Sequence, residues 1–361
     1  MNRRQFVGAS GAIALSLSAS LPRVQVQAQA AYSAIDLGFP DGFPSIVPVA
    51  LNNNGVAVVE ATAADKSAIF IVENGTFTRL GDEDAIVHAT SINDTNAVGG
   101  WIEDAGDGSG PVVDLPVLLT PEGQALMPGN QLDGRVHALS SDGRAVGAAA
   151  TDERQSARRA VVWDNQEVSE LKGIPTDAAS SASDINSLGQ IVGRIETPDE
   201  SAALAVLLSL DEDPVELGTI GGAFSEAVAI SERGQIAGNS STSDEQTSLS
   251  GDGIAAFSWS EGTLTPLPTL ENQAWSNASD INSFGLISGT VGLTAPATAS
   301  PATTAVVWAP DSVLELNQVI QPIDGLILTA AVAINEMGQV LCTAVDTGGA
   351  SHAVLLSVMG N

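Results

Sequence analysis

The residues of this chain that could do chemistry are mostly carboxylates. The sequence has 43 aspartates and glutamates against 13 lysines and arginines, with 3 histidines and 1 cysteine. A pair of carboxylates can act as acid and base on a glycosidic bond, and several carboxylates near glycine suit Ca²⁺, a cation that prefers oxygen ligands. Acids are so abundant here that no single pair identifies a site, so their positions along the chain must decide.

The motifs of other catalytic classes do not occur in the sequence. It has no Gly-x-Ser-x-Gly elbow, no His-Glu-x-x-His, no Walker loop and no metal-spaced cluster of cysteine and histidine. Two of the histidines, His88 and His137, stand in Val-His-Ala segments, which we interpret as one place in successive repeats with a structural role. The third is His352. We therefore assign no catalytic residue.

The candidate ligand-binding residues are acids in connections of varying length, together with the tryptophan that borders the longest acidic connection. The densest cluster is Asp104-Ala105-Gly106-Asp107-Gly108-Ser109-Gly110, although it lacks the spacing of an EF-hand. We take Asp104 and Asp107 as candidate Ca²⁺ ligands, with a solvated acidic loop as the simpler interpretation. The candidate ligand-binding residues are Trp101, Asp104, Asp107, Asp152, Glu153, Asp199, Glu200, Asp244, Glu245 and Asp252.

A repeated segment determines where these residues lie. Its clearest copy runs from Asp184 to Gly193, and the motif is an apolar residue, then Asn or Ser, then Gly three residues later. A short polar side chain can hold a turn by bonding the backbone two residues on, and the glycine supplies the left-handed conformation of a tight hairpin. In the second copy Asn96 replaces the glycine. The seven Asn or Ser residues are Asn52, Asn93, Ser140, Asn186, Ser231, Asn282 and Asn335.

Each predicted hairpin is followed by an apolar strand, a second turn and a fourth strand marked by leucine. These leucines are Leu80, Leu126, Leu171, Leu217, Leu267 and Leu316, at steps of 46, 45, 46, 50 and 49 residues. Four short strands in about 40–50 residues are the unit of a β-propeller blade. Trp163, Trp259 and Trp308 share one repeat position, which favours core packing over ligand stacking.

The missing fourth strand of the series lies at the other end of the chain. Ala34-Ile35-Asp36-Leu37-Gly38 matches the fourth-strand pattern and precedes the first hairpin. We therefore predict an all-β, seven-bladed β-propeller of 28 strands. The N-terminal strand pairs with the C-terminal blade around Val354, so that the ring has no open sheet edge. A β-solenoid is the structural alternative, since it needs no complementary terminal strand.

The repeat resembles that of the HAF-type extracellular repeat proteins. Their pattern combines an Ala-x-x-Ile-Asn-x-x-Gly-x-x-Val-Gly hairpin, a His-Ala-Phe-like strand and a Leu-Gly-x-Leu-Gly-Gly tail. It is clearest here at Asp184 to Gly193, at Ala229 to Gly238 and at Leu217 to Gly222, while His-Ala survives in the third strand only at His352-Ala353. The resemblance covers nearly all of residues 31–361. It implies an exported propeller-like repeat protein and brings no catalytic residues with it.

The first 30 residues have the composition of an export signal. Asn2-Arg3-Arg4-Gln5-Phe6-Val7 resembles a twin-arginine motif, and Ala28-Gln29-Ala30 suits a signal peptidase. The apolar run from Phe6 to Leu21 is shorter than the roughly 20 residues of a membrane span, which is the alternative interpretation. We predict a signal peptide at 1–30, a single propeller domain at 31–361, and a periplasmic or secreted location.

The charge of the remaining chain excludes some partners. Without residues 1–30 the chain has 10 basic and 43 acidic residues. Such a charge repels nucleic acid and anionic membrane surfaces, and we expect no membrane insertion of the mature chain. A salt-adapted surface explains the acidity more simply than cation binding does. With one cysteine, the chain forms no internal disulfide, so its stability must come from burial.

Strand order predicts which face of the ring could bind a ligand. The turns between strands one and two, and between strands three and four, share one face, which we call the hairpin face. The connections from strand two to three and from blade to blade share the other, the connection face. Variable connections on a repeated scaffold are common binding sites. We expect a binding or interaction module for a protein or glycan surface, with Ca²⁺ as an optional cofactor.

Two other functions stay open at this point. One is a hydrolase or lyase that acts on a cell-wall or extracellular polysaccharide, which requires a carboxylate pair in the central channel with aromatic neighbours. The other is a purely structural or adhesive envelope protein, which would form oligomers and bind no small ligand. The sequence does not determine the oligomeric state.

Overall fold

The structure, a computed structural model, describes residues 31–359 apart from 65, 83–84, 105–111, 128–132, 151–157, 165–166, 200, 244–248, 250–252, 294–302, 311 and 324. Within these residues the chain forms 28 strands and one short helix, α1 (Leu316–Val319). The strands make seven four-stranded antiparallel sheets. In the part of the chain so described, no helix is long and apolar enough to cross a membrane.

The strands follow one another from the inner to the outer edge of each blade. The N-terminal strand is β1 (Tyr32–Asp36). Blade 1 holds β2 (Ser45–Leu51), β3 (Ala57–Thr62), β4 (Ser67–Glu73) and β5 (Thr76–Leu80). Blade 2 holds β6 (Val87–Ile92), β7 (Val98–Asp104), β8 (Val113–Thr120) and β9 (Gly123–Leu126). Blade 3 holds β10 (Gly134–Leu139), β11 (Ala145–Ala150), β12 (Arg158–Asp164) and β13 (Glu167–Glu170).

The same order continues through the second half of the chain. Blade 4 holds β14 (Ser180–Ile185), β15 (Ile191–Glu196), β16 (Ala203–Leu208) and β17 (Val215–Gly218). Blade 5 holds β18 (Ser225–Ile230), β19 (Ile236–Ser241), β20 (Ile254–Ser260) and β21 (Thr263–Pro266). Blade 6 holds β22 (Trp275–Ile281), β23 (Ile287–Gly292), β24 (Thr303–Ala309) and β25 (Ser312–Glu315). Blade 7 holds β26 (Ile327–Ile334), β27 (Val340–Val345), β28 (Ser351–Val358) and β1.

The N-terminal strand closes the ring as the sequence predicted. β1 pairs antiparallel with β28, with Tyr32 opposite Val358 and Asp36 opposite Val354. His352 adds a side-chain link, because its Nδ1 lies 2.9 Å from Oδ2 of Asp36. The seven-bladed propeller is therefore confirmed, and the solenoid alternative is wrong.

The predicted hairpin chemistry is present in all seven blades. The residue three after the Asn or Ser has positive φ throughout, from 62° at Asn96 to 93° at Gly143. Asn52 shows the side-chain bonds, since its Oδ1 accepts the backbone N–H of Asn54 at 3.1 Å and of Val56 at 2.9 Å. Where serine replaces asparagine, Ser140 and Ser231 keep the bond to the fourth residue on. The turn is thus held by the side chain that the repeat supplies.

In five of the seven blades, asparagine at this position also ties the blade to the next one. The Nδ2 of Asn52 donates to the carbonyl of Asn93 at 3.1 Å, and the Nδ2 of Asn335 donates to the carbonyl of Asn52 at 3.0 Å across the closure. The same bond starts from Asn93, Asn186 and Asn282. These side chains are buried, so the bonds are shielded from water. This second role of the asparagine was not predicted from the sequence.

Each first strand carries a β-bulge one residue before its last two. The register shifts at the same place in every blade. A bulge leaves one residue unpaired and turns its side chain in a new direction. The bulged residues all line the central channel, and they are Val49, Thr90, His137, Ser183, Val228, Ser279 and Val332. The bulges therefore decide which side chains face the channel.

The core lies between neighbouring blades and is built largely of small aliphatic side chains. Trp163 and Trp308 are buried, and Nε1 of Trp308 donates to the carbonyl of Pro268 at 2.7 Å. Trp259 is partly buried against the same kind of cluster. Core packing of this tryptophan series is confirmed. Cys342 is also buried, and burial raises the pKa of its thiol.

Candidate functional site

The tryptophan that the sequence singled out lies on the connection face between blades 2 and 3. Trp101 stands opposite His88 in the register of β6 and β7, and their rings stack with centroids 4.8 Å apart. The guanidinium of Arg135, in the first strand of blade 3, lies 4.4 Å from the centre of the indole. Glu103 extends the group, with Oε1 3.1 Å from Nε2 of His88. The indole is therefore one layer of an inter-blade stack.

An ion-pair network continues from this stack. Arg135 and Arg158 both bond Oδ2 of Asp114, at 2.6 Å each, and Arg158 also bonds both oxygens of Asp133, at 2.6 and 2.8 Å. Burial alone would raise the pKa of Asp133, but the hydrogen bonds from Arg158 and the backbone of Asp114 hold it below its ordinary value. Arg135 is thus held in position against Trp101.

Two of the three histidines occupy different places, contrary to our interpretation of the two Val-His-Ala segments. His88 is paired in register near the start of β6, whereas His137 is the bulged residue of β10 and lines the channel. The interpretation was wrong because the two segments lie at different distances from their hairpins. His88 is five residues before Asn93, whereas His137 is three residues before Ser140. Both residues are part of strands, but only His137 faces the channel.

Most of the predicted ligand-binding acids lie outside the described residues. These are Asp107, Asp152, Glu153, Glu200, Asp244, Glu245 and Asp252. Asp104 is described, and it ends β7 as an exposed residue. Among the described residues, no group of three or more acidic, histidine or cysteine side chains could hold a metal ion. The Ca²⁺ site at Asp104 and Asp107 stays a prediction.

Asp199 is the third predicted residue that the structure describes, and it organises a turn. Its Oδ1 accepts hydrogen bonds from Thr197 Oγ1 at 2.8 Å, Ser201 Oγ at 2.7 Å and Ser201 N at 3.2 Å. These bonds lower the pKa of Asp199 to about 2. The carboxylate therefore stays charged in ordinary buffers and holds the connection between β15 and β16.

One histidine among the described residues lines the channel. Nδ1 of His137 lies 2.8 Å from the carbonyl of Ala182 in the next blade. A carbonyl can only accept, so Nδ1 donates this hydrogen bond. Burial is the main cause that lowers the pKa of His137, and nearby arginines act in the same direction.

Two aspartates face the channel from alternate blades. Asp184 accepts the N–H of Ile185 with Oδ1 and the N–H of Ile230 with Oδ2, both at 2.8 Å. Asp280 repeats the arrangement with Ile281 at 2.8 Å and Ile334 at 2.9 Å. Each acid therefore links two blades through the backbone. The sequence analysis treated both acids only as part of the repeat.

These two carboxyl groups have unusual acidity. Burial raises the pKa of Asp184 and of Asp280 to about 7, while their backbone hydrogen bonds act in the opposite direction. The charges of Asp280 and Glu232 raise the value further for Asp184, and Glu336 does so for Asp280. The signal was visible in the sequence, because the same repeat position is Ala or Ser in the other five blades.

The two aspartates face a channel whose wall is mostly aliphatic. They line two cavities that share residues, of about 220 and 180 Å³, and the first is walled by the bulged residues and their neighbours. Among the residues that the structure describes, the lining of these cavities includes His137, Ser183 and Ser279 and no tryptophan, tyrosine or phenylalanine. The carboxylate pair required by the polysaccharide-enzyme alternative is therefore present, but no described aromatic side chain lines either cavity.

The hairpin face differs from one side of the ring to the other. The residue two after the Asn or Ser forms the tip of each turn. Three tips are bulky and exposed, with 72% of Leu188, 61% of Phe284 and 65% of Met337 accessible. Between them, in blade 5, Arg233 lies with its guanidinium 5.9 Å from the Phe284 ring centre. None of the candidate residues was predicted on this face.

Comparisons with known proteins add the fold and no more. No protein-family model matches the chain, and no curated protein matches it. Among solved structures, the chain is similar to the β-propeller domain of the Trilobed protease from Pyrococcus furiosus, with a TM-score of 0.56 and 10% identity over 88% of this chain and 98% of that one. That domain is described as having an open velcro topology, whereas β1 and β28 pair here. At this identity the likeness shows a propeller fold alone.

Proposed function

We propose that this protein is an exported, non-enzymatic binding module that recognises a protein or glycan surface with its connection face. The observation that carries the proposal is that the two channel carboxylates are already occupied by hydrogen bonds to the backbone. Both oxygens of Asp184 and both oxygens of Asp280 accept backbone N–H groups. Acids that join blades in this way are part of the scaffold.

A catalytic pair would have to be arranged differently. Glycoside hydrolysis needs one carboxyl group to protonate the leaving oxygen and the other to act as nucleophile or base on the opposite side of the bond. In this channel the hydrogen bonds to Ile230 and Ile334 direct one oxygen of each acid at the next blade.

The connection face offers the features of a recognition surface. Its connections differ in length from blade to blade, and variable loops on a rigid scaffold are where proteins usually bind. The Trp101–Arg135 stack supplies an aromatic and a guanidinium group on this face, and both residue types are enriched at interfaces. The composition of residues 1–30 supports export, and the acidic charge argues against nucleic acid as the ligand.

The polysaccharide hydrolase or lyase is the second candidate, and one observation favours it. Asp184 and Asp280 share one channel, and both titrate near neutral pH, which is the acidity a general acid or base requires. We rank it second because their hydrogen bonds already have a structural purpose. Optional Ca²⁺ on the connection face belongs to the first proposal and adds no catalysis.

The test separates binding from turnover. Residues 31–361 are incubated with insoluble peptidoglycan, with a panel of polysaccharides and with immobilised envelope proteins, and both retention and released fragments are measured. We expect retention of the protein without product, about tenfold weaker in Trp101→Ala and unchanged in the hairpin-face control Thr95→Gln. Release of reducing ends or unsaturated fragments that Asp184→Asn abolishes, with thermal unfolding unchanged, would overturn the proposal.

A further inference from the structure

The hairpin face carries an apolar surface on one side of the ring. We call it the apolar crescent, and it consists of Leu188, Phe284 and Met337, the turn tips of blades 4, 6 and 7, with Arg233 as the tip of blade 5. The four blades are consecutive around the ring. In blades 1 to 3 the same tip is Asn54, Thr95 or Asp142.

Backbone geometry does not explain this asymmetry. All seven turns have a left-handed residue after the tip, and all hold the same backbone bond from that residue to the carbonyl of the Asn or Ser. Only the side chains differ. Single exposed apolar residues are ordinary on protein surfaces, but bulky ones grouped on one side of a uniform ring mark a contact surface.

Two carboxylates are fixed between the apolar tips. The backbone N–H and hydroxyl of Ser283 both donate to Oε1 of Glu336 at 2.9 Å, and Ser187 donates to Glu232 in the same way. None of the described residues forms an ion pair with either glutamate. The crescent therefore suits an occupant that has bulky apolar side chains and positive charges.

The chain enters the propeller beside the crescent. Tyr32, the first residue of β1, stands opposite Val358. Val358 in turn lies against Gly338, since a Cβ placed on that glycine would be 3.2 Å from its side chain. Gly338 directly follows the tip residue Met337. Residue 31 thus lies on the hairpin face, at blade 7.

The 30 residues before this point have the composition that the crescent requires. They contain Arg3, Arg4 and Arg23 and no acid, and Phe6 to Leu21 is their apolar run. Thirty residues can reach about 100 Å when extended, or about 45 Å as a helix, so the length of the segment does not limit its reach across the ring.

We propose that the apolar crescent is the docking surface for the chain's own residues 1–30. The apolar run covers Leu188, Phe284 and Met337, and the arginines lie near Glu232 and Glu336. Removal of the segment would uncover the crescent, so the full chain and residues 31–361 would present different surfaces. The inference uses the hairpin face alone and does not depend on the ligand-binding proposal for the connection face.

The first experiment follows the accessibility of Met337 in the covalently linked protein. The full chain and residues 31–361, which contain all 28 strands, are treated with dilute hydrogen peroxide, and sulfoxide formation is measured by peptide mass spectrometry. We expect Met337 to oxidise at least fivefold more slowly in the full chain, with Met127 as an internal reference that does not change. Equal rates for Met337 in the two proteins would overturn the proposal.

A second experiment identifies the surface and the charges. A labelled synthetic peptide of residues 1–30 is titrated with residues 31–361, and binding is followed by fluorescence anisotropy. We expect Phe284→Gln to weaken binding about tenfold, while Thr95→Gln, at the same turn position, leaves it unchanged. A peptide with its three arginines replaced by glutamine should bind at least fivefold more weakly.

Two outcomes would assign the crescent to another occupant. If Met337 became protected in residues 31–361 alone as the protein concentration rose, a second copy of the chain would be the occupant. If Phe284→Gln and Thr95→Gln weakened peptide binding equally, the peptide would be attracted only by the overall negative charge. Either result would overturn the docking of residues 1–30 without affecting the connection-face proposal.

Discussion

The seven junctions between blades are of two kinds, and the comparison shows how the ring is held together. In five of them an asparagine amide reaches the carbonyl of the next blade, as Asn335 reaches Asn52 at the closure. In the other two the residue is Ser140 or Ser231. A serine hydroxyl is shorter, and these two bond only within their own turns.

Other side chains bond across the two serine junctions. Between blades 5 and 6, Nδ2 of Asn239 donates to the carbonyl of Ala278 at 3.2 Å, and its Oδ1 accepts the N–H of Ala278 at 2.8 Å. Between blades 3 and 4, His137 donates to Ala182. At the serine junctions, too, a side chain therefore bonds the backbone of the neighbouring blade. The bond of His137 is not special to them, because Thr90, at the same bulge position, donates to the carbonyl of Val136 at 2.9 Å across an asparagine junction.

The largest effect is expected at the asparagine junction that closes the ring. Asn335→Ala removes the bonds to Asn52, Gln339 and the turn backbone and leaves a buried carbonyl without this donor. We expect the free energy of unfolding in urea to fall by about 3 kcal/mol. Ser140→Ala, at the same repeat position, is the matched control and should cost about 1 kcal/mol or less. Equal losses in the two variants would contradict the importance of the amide.

The bonds of Asn239 across a serine junction should be nearly as important. Asn239→Ala leaves the N–H and the carbonyl of Ala278 without these partners in the interior, and we expect a loss of about 2 kcal/mol. Hydrogen exchange then checks the location of the effect, since the Ala278 amide should exchange faster while the blade 7 amides change less. If Ser231→Ala cost more than Asn239→Ala, the junction would depend on the serine and not on Asn239.

The aspartates that reinforce two asparagine junctions should make stability depend on pH. The pKa of Asp184 and Asp280 is about 7 in the folded protein and near 4 in an unfolded chain. Between these values the folded state holds more protons, so stability falls as pH rises toward 7 and levels off above it.

We expect the unfolding free energy to drop by roughly 2 kcal/mol between pH 6 and pH 7 because of this pair. The double variant Asp184→Asn/Asp280→Asn should flatten that slope, whatever it does to the absolute stability. Glu122→Gln, an exposed turn residue of blade 2, should leave the slope unchanged. An equally steep slope in the double variant would show that Asp184 and Asp280 are not the groups that make stability depend on pH.

The smallest effect comes from converting one kind of junction into the other. Ser231→Asn should add an amide donor toward the carbonyl of Asn282, as asparagine provides in five other blades. We expect a gain of about 0.5–1 kcal/mol in urea unfolding. If Ser231→Asn destabilised the protein, the blade 5 turn would lack the room that the other turns have. The asparagine bond would then stabilise only the five junctions that have it in the native protein.

The sequence predicted the repeat and closure because both depend on local chemistry. A glycine or asparagine after each turn tip and a fourth-strand pattern at the N-terminus were sufficient for seven blades. What joins the blades was not predictable in the same way. The Nδ2 of Asn52 reaches a carbonyl 41 residues away, and nothing in the local pattern of one repeat specifies that partner.

The site residues were harder to predict for a similar reason. The network of Arg135, Arg158, Asp114 and Asp133 brings together residues of blades 2 and 3 that share no motif. The mistaken equivalence of His88 and His137 arose because the segments, though identical, lie at different distances from their turns. Asp184 and Asp280 were detectable, since a charged residue replaces alanine or serine at a repeat position facing the channel.

The closure also sets the order in which the molecule can be completed. Ser33 in the first strand bonds Ser357, 324 residues further along the chain. At synthesis rates of about 5–20 residues per second, β1 emerges roughly 15 to 65 seconds before its partner exists. Blades 1 to 6 consist of contiguous sequence, so they can form as they are made, while blade 7 waits for the two ends of the chain to meet. The slowest step of folding is therefore expected to be this single long-range encounter, and a chain that loses its last strand would keep six blades and an open edge.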